Sequence, residues 1–138
     1  MSWIGSTADS LVTAIEALNL GVIVSTSWVP DEIDTSQELR SPAILVFVDT
    51  RSTKLIARGH KAQTITAWVS IVDPLKQEFE SEQASEGQGR VDAIIDGLLG
   101  NKVGTLTCTG IEQTVTTSVQ HWKEYRQFAS FLKLTIES

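Results

Sequence analysis

Cysteine is almost missing from this 138-residue chain: Cys108 is the only one, so no internal disulfide can form and an oxidising compartment is not required. Basic residues are scarce as well, eleven against seventeen carboxylates, for a net charge of −6. An acidic surface repels phosphate backbones, which counts against a protein that grips nucleic acid. Long apolar stretches are lacking too. The longest, Ala43-Ile44-Leu45-Val46-Phe47-Val48, is far short of the ~20 residues that span a bilayer. The first basic side chain is Arg40, so the N-terminal stretch lacks the charged region that opens a secretory signal. These absences predict a soluble chain made in a cytoplasm, with no membrane partner.

Catalytic motifs are equally thin. Histidine occurs twice, at His60 and His121, and with Cys108 these are too few nitrogen and sulfur donors for a metal site. No Gly-x-Ser-x-Gly occurs, and Cys108 lies in an alternating strand where a buried thiol is the common fate. Gly87-Gln88-Gly89 precedes a helical stretch but lacks the rest of a phosphate-binding fingerprint. The carboxylates of 31–38 and 78–86 read as solvated faces, because catalytic acids need held geometry. The expectation is a non-enzyme with no cofactor and no metal.

What remains is a normal core-forming composition. Apolar residues are 41% and charged residues 20%, enough to fold residues 1–138 as one domain. Ser6-Thr7-Ala8-Asp9 matches a capping box, and Leu11, Ile15 and Leu18 follow at helical spacing, predicting a helix over 7–20 that Gly21 ends. Val22–Val29 reads as a strand stopped by Pro30, and 31–41 as a loop. Ala43–Val48 reads as a strand covered on both faces, 49–53 as a turn, and Lys54–Arg58 as a short return strand. From Gln63 to Val72, Ile65, Ala67, Val69 and Ile71 alternate with Thr64, Thr66, Trp68 and Ser70, which is strand periodicity.

Residues 76–90 lack apolar periodicity apart from Phe79 and read as a mobile acidic loop or a frayed helix. Val91, Ile94, Ile95 and Leu98 then place a second helix, closed by Gly100-Asn101. Leu106 and Cys108 alternate with threonines. After Gly110 the parity flips, with Ile111, Val115 and Val119 on one face, which predicts a bulge or a tight bend at the glycine. His121–Gln127 reads as a polar-aromatic connection. Leu132, Leu134 and Ile136 share a face of the closing strand, opposite Phe131 and Lys133. The fold class that follows is α+β: a mostly antiparallel β-sheet with two helices packed on one face.

Four tryptophans stand out: Trp3, Trp28, Trp68 and Trp122. Trp68 reads either as an edge of the core or as a contact. Trp3-Ile4, Trp28 and the Trp122–Arg126 stretch, with Tyr125 and Arg126, are candidate subunit-interface residues, since large rings anchor interfaces by filling a partner's pocket.

The order of elements carries a resemblance. An N-terminal amphipathic helix leads to a strand, then Ala43–Val48, then Gly59-His60-Lys61 and the Ile65–Val72 strand. An acidic break, Arg90–Leu99 and Phe131–Ile136 follow. This layout resembles the tail-terminator and tail-completion (neck) proteins of tailed bacteriophages, over nearly the whole chain but with no single diagnostic motif. The resemblance implies a structural protein of the virion, assembled in the host cytoplasm. Its partners would be further copies of itself in a homo-oligomeric ring, a hexamer, together with the tail tube protein and the neck or connector proteins. DNA would pass through the acidic ring without specific binding. The alternatives are a head-completion adaptor or, in a different class, a small-molecule-binding or hydrolytic domain with an apolar pocket containing His60 or His121.

Overall fold

The computed structural model describes residues 3–26, 43–74, 80–115 and 127–138. Two helices, α1 (Trp3–Glu16) and α2 (Glu80–Leu98), pack on one face of a sheet. Its strands are β1 (Ile23–Thr26), β2 (Ala43–Ala57), β3 (His60–Pro74), β4 (Lys102–Val103), β5 (Leu106–Val115) and β6 (Gln127–Glu137). Their order across the sheet is β1-β2-β3-β6-β5-β4. Only the β1–β2 pair is parallel, so the protein is α+β with a mostly antiparallel sheet.

The core follows from period-two alternation meeting helical stripes. Ile44, Val46 and Val48 of β2, Ile65, Ala67, Val69 and Ile71 of β3, and Leu132, Leu134 and Ile136 of β6 are all buried. Leu11 and Ile15 of α1 and Val91, Ile94 and Leu98 of α2 pack onto them. Such a face, removed from water at ~25 cal/mol per Å², is the main source of stability.

Several expectations change. The first helix begins at Trp3 and ends at Glu16, so Ser6–Asp9 lies inside it rather than capping it; Trp3 and Ile4 extend the apolar stripe by a turn. Beyond the end, the left-handed conformation falls on Asn19 as well as Gly21. Ala43–Val48 is covered on one face only: Ala43, Leu45 and Phe47 stay half-buried on the other. Residues 49–53 are not a turn and 54–58 not a separate strand. Both belong to β2, which pairs with β3 as far as Ala57↔His60. The reversal is Arg58-Gly59, with Gly59 at φ 79°, a conformation that glycine adopts without steric cost.

The acidic stretch before the second helix is helical from Glu80 onward. Gly87 explains why the composition misleads. A Cβ there would stand 2.3 Å from the Phe128 ring, so the glycine lets α2 lie directly on β6. The bulge expected at Gly110 is present, as a register shift between Cys108 and Gly110. A second shift between Gln113 and Val115 moves Val115 opposite Phe131, on the face away from the helices, whereas Ile111 opposes Leu134 of the core. The two residues therefore do not share a face.

Candidate interaction surfaces

The helices cover one face of the sheet, and the other carries an aromatic groove. Phe47 and Trp68 are direct cross-strand partners on β2 and β3; Ser70 pairs with Phe131 of β6, and Phe131 with Val115 of β5. With Asp49 and Thr114, these residues line a cavity of about 460 Å³. The walls are rings, and the polar groups are few. Trp68 donates its indole Nε1–H to Asp49 Oδ2 at 3.2 Å, which orients the ring across the opening. Ser70 is buried at the base.

The second surface is the far half of the β2–β3 hairpin. β6 pairs with β3 as far as Thr64↔Glu137, and the Ser138 N–H donates to the Gln63 carbonyl; beyond that point, among the described residues, the ribbon is two-stranded. From Thr64 to Gly59 it projects about 17 Å at ~3.3 Å per residue. Residues 49–61 are all exposed. Leu55 and Ile56 are each 66% exposed, while Arg51, Lys54, Arg58 and Lys61 are the charged residues of 50–63. No carboxylate lies in that stretch. A two-stranded ribbon without a core is marginal in water, so this arm depends on its anchoring to the sheet. Part of the anchor is Arg51, whose guanidinium lies 4.6 Å from the centroid of the Trp3 ring.

A polar seam holds α2 against the opposite end of the sheet. Arg90 donates to Asp73 Oδ2 at 2.9 Å, and the carboxylate is 5% exposed. Gln113 Nε2 donates to Gln88 Oε1 at 3.0 Å and to Ser130 Oγ at 2.8 Å; Ser130 in turn donates to the Val115 carbonyl at 2.9 Å. Gln88 Nε2 also donates to Asp92 Oδ1 at 3.0 Å. Every buried side-chain polar atom among the described residues has a partner, so the seam is a fully satisfied clamp.

Of the candidate interface residues, Trp3 and Ile4 lie in the first turn of α1, half-buried against the core. Trp28, Trp122, Tyr125 and Arg126 lie outside the described residues, as does His121. His60 stands exposed at the arm's turn, away from the groove. Among the described residues no group of three His, Cys, Asp or Glu side chains is placed to hold a metal ion. No helix among them is long and apolar enough to cross a membrane. Burial pushes the Cys108 thiol above its ordinary pKa.

Reading 49–53 as a turn and Lys54–Arg58 as a short return strand hid the arm, although Arg51, Lys54, Arg58 and Lys61, with no carboxylate among them, were a visible signal in an acidic chain. The groove residues Phe47, Phe131 and Val115 come together only through sheet register.

These features define an α+β domain whose conspicuous surfaces are suited to contact. Comparison of the chain with known protein families and with curated proteins finds no match to either.

Proposed function

We propose that the chain is a structural subunit of a tailed-phage virion, a tail terminator. It would form a ring at the head-proximal end of the tail tube, stop tube polymerisation and join the neck. The observation that carries this reading is apolar surface: a projecting arm with two exposed aliphatic side chains, together with a half-buried aromatic groove on the sheet. Exposed apolar side chains rimmed by polar residues mark sites of protein contact. The overall charge of −6 suits a ring through which DNA passes without adhering. A ring needs two different patches that meet head to tail, and a chain with separate surfaces meets that requirement. A head-completion adaptor of the neck shares all of these features and differs only in the partner at the ring's faces.

The test is self-association by native mass spectrometry and negative-stain microscopy, alone and with tail tubes. Expected are closed rings of six chain masses, and tubes capped at one end. Trp3→Ala should weaken assembly while the circular-dichroism spectrum stays native. A particle that remains monomeric at every concentration, with and without tubes, sinks the reading.

The groove favours a second reading, a small-molecule site, since its volume falls within the range of ligand pockets. Trp68 makes it measurable: a ligand seated there quenches or shifts indole fluorescence. Trp68→Phe isolates that signal from the other three tryptophans. Saturable binding by a strictly monomeric chain would replace the ring by this reading.

A further inference from the structure

The charge of the chain is divided between two places in the fold. Four of the eleven cations stand on the arm, at Arg51, Lys54, Arg58 and Lys61, with no carboxylate between residues 50 and 63. The rest of the chain holds seven cations against seventeen carboxylates, a net −10. The helix layer concentrates the opposite sign. α1 carries Asp9 and Glu16 and no cation; α2 carries Glu80, Glu82, Glu86, Asp92 and Asp96 with the single cation Arg90. Arg90 is turned inward onto Asp73, so it does not offset that outer surface. Asp9, Glu16, Glu86, Asp92 and Asp96 are exposed.

Among the described residues the arm cations form no salt bridge with an acid of their own subunit. The one salt bridge among the described residues is Arg90–Asp73, and Lys54, Arg58 and Lys61 point to solvent. Three of the four exposed large apolar side chains among the described residues follow the same division, Ile23 of β1 being the other. Leu55 and Ile56 project from the arm, and Leu99 is exposed just beyond the last turn of α2, three residues after Asp96.

We propose that the arm of one subunit docks on the acidic helix layer of a second copy of this chain. Lys54, Arg58 and Lys61 would face Asp92 and Asp96, and Leu55 and Ile56 would cover Leu99. Charge complementarity on this scale sets which patches meet and in what orientation, and the aliphatic pair contributes the desolvated centre. The exposed aliphatics favour a protein over a nucleic-acid partner, because phosphate backbones offer nothing to cover them. The contact joins two different patches, so it propagates head to tail. The proposal rests on the ring reading and identifies the contact that would build the ring.

The experiment is a charge reversal with internal rescue, read by sedimentation velocity and native mass spectrometry over the micromolar range. An arm-reversed variant carries Lys54→Glu, Arg58→Glu and Lys61→Glu; a helix-reversed variant carries Asp92→Lys and Asp96→Lys; a third carries all five changes. Arg51 is left alone because it packs on Trp3. Thermal melts establish that each variant is folded. Each single-sided variant should weaken assembly by ~10-fold or more, and the five-fold variant should restore it, since the attraction is only inverted. Raising salt from 50 mM to 500 mM should weaken the wild type, as exposed charges are screened.

The outcomes separate. Wild-type assembly that is indifferent to arm reversal, or a five-fold variant that fails to recover, overturns this contact and leaves the ring reading standing. Rescue within a closed dimer keeps the contact and removes the ring. Loss of duplex-DNA retention in the arm-reversed variant, with assembly unchanged, would make the arm a nucleic-acid element and overturn the proposal. A wild type that stays monomeric throughout removes both. A helix-reversed variant that does not fold is replaced by Asp92→Asn/Asp96→Asn, where neutralisation should weaken assembly to a smaller degree.

Discussion

Gly87→Ala should destabilise the protein even though alanine is the better helix former. In α2 the exchange lowers the backbone cost of the helix by ~1 kcal/mol. Crowding against Phe128 outweighs that gain. The new methyl carbon would lie 2.3 Å and 2.4 Å from two carbons of the Phe128 ring, and 3.0 Å from a third. Carbon atoms rest at ~3.5–4.0 Å, so more than an ångström must be found. Phe128 is only 1% exposed and has no open space to yield into. Overpacking costs about 1–3 kcal/mol, and against a ring boxed in as here about 2–3, which leaves a net loss of about 1–2 kcal/mol.

Gly89→Ala, two residues along the same helix, is the internal control, because nothing lies within 4 Å of its added carbon. It should gain roughly 0.5–1 kcal/mol. Urea unfolding of the two variants should therefore show midpoints moving in opposite directions, separated by about 1.5–3 kcal/mol in total. Phe128→Leu combined with Gly87→Ala should show favourable coupling in a double-mutant cycle, since the ring that the new methyl meets is gone. Equal shifts for both alanine variants would show that α2 does not lie directly on β6.

The Asp73–Arg90 pair gives a second test. Asp73→Ala leaves a partly buried guanidinium without its acceptor and should cost about 3 kcal/mol, whereas Asp73→Ala/Arg90→Met should recover a good part of that; urea midpoints decide. Cys108 gives a third. Its thiol stays protonated in the folded state at pH values where the unfolded chain ionises, so above about pH 8.5 the native state holds the extra proton and stability falls as pH rises. Subtracting the pH profile of Cys108→Ala from that of the wild type should isolate this fall, and the native thiol should resist alkylation at pH 8 until urea exposes it. An equally steep profile in both proteins would show that Cys108 is not the group responsible.

Periodicity alone was enough to place the buried stretches of α1, β3, β6 and the second half of α2. The alternation of Ile65, Ala67, Val69 and Ile71, and that of Leu132, Leu134 and Ile136, names a buried sheet face whatever the topology, because successive strand side chains point to opposite sides. The spacing of Val91, Ile94 and Leu98 does the same for a helix. Gly110 announced its own bulge. What composition misjudged were stretches whose stability is borrowed from elsewhere. Residues 80–90 look like a loop or a frayed helix by their glycines and glutamates, and Gly87 against Phe128, Gln88 against Gln113 and Arg90 against Asp73 hold them as helix. Residues 49–53 look like a turn and Lys54–Arg58 like a separate strand, yet 49–57 extend β2 because β3 continues beside them and Gly59 reverses the chain later.

The sequence by itself determined an acidic, disulfide-free chain with one alternating core and two helices to cover it, since charge, thiol count and hydrophobic period are properties of residue order. Tertiary structure alone decided which side chains meet on the open face. Phe47, Trp68, Phe131 and Val115 come from four strands, and their approach depends on cross-strand register and on the second bulge before Val115. It also decided that the cations between residues 51 and 61 stand out as an arm, because β2 and β3 stay paired out to Ala57 and His60, well past the core. Local sequence cannot carry either fact: both are set by how distant strands pair.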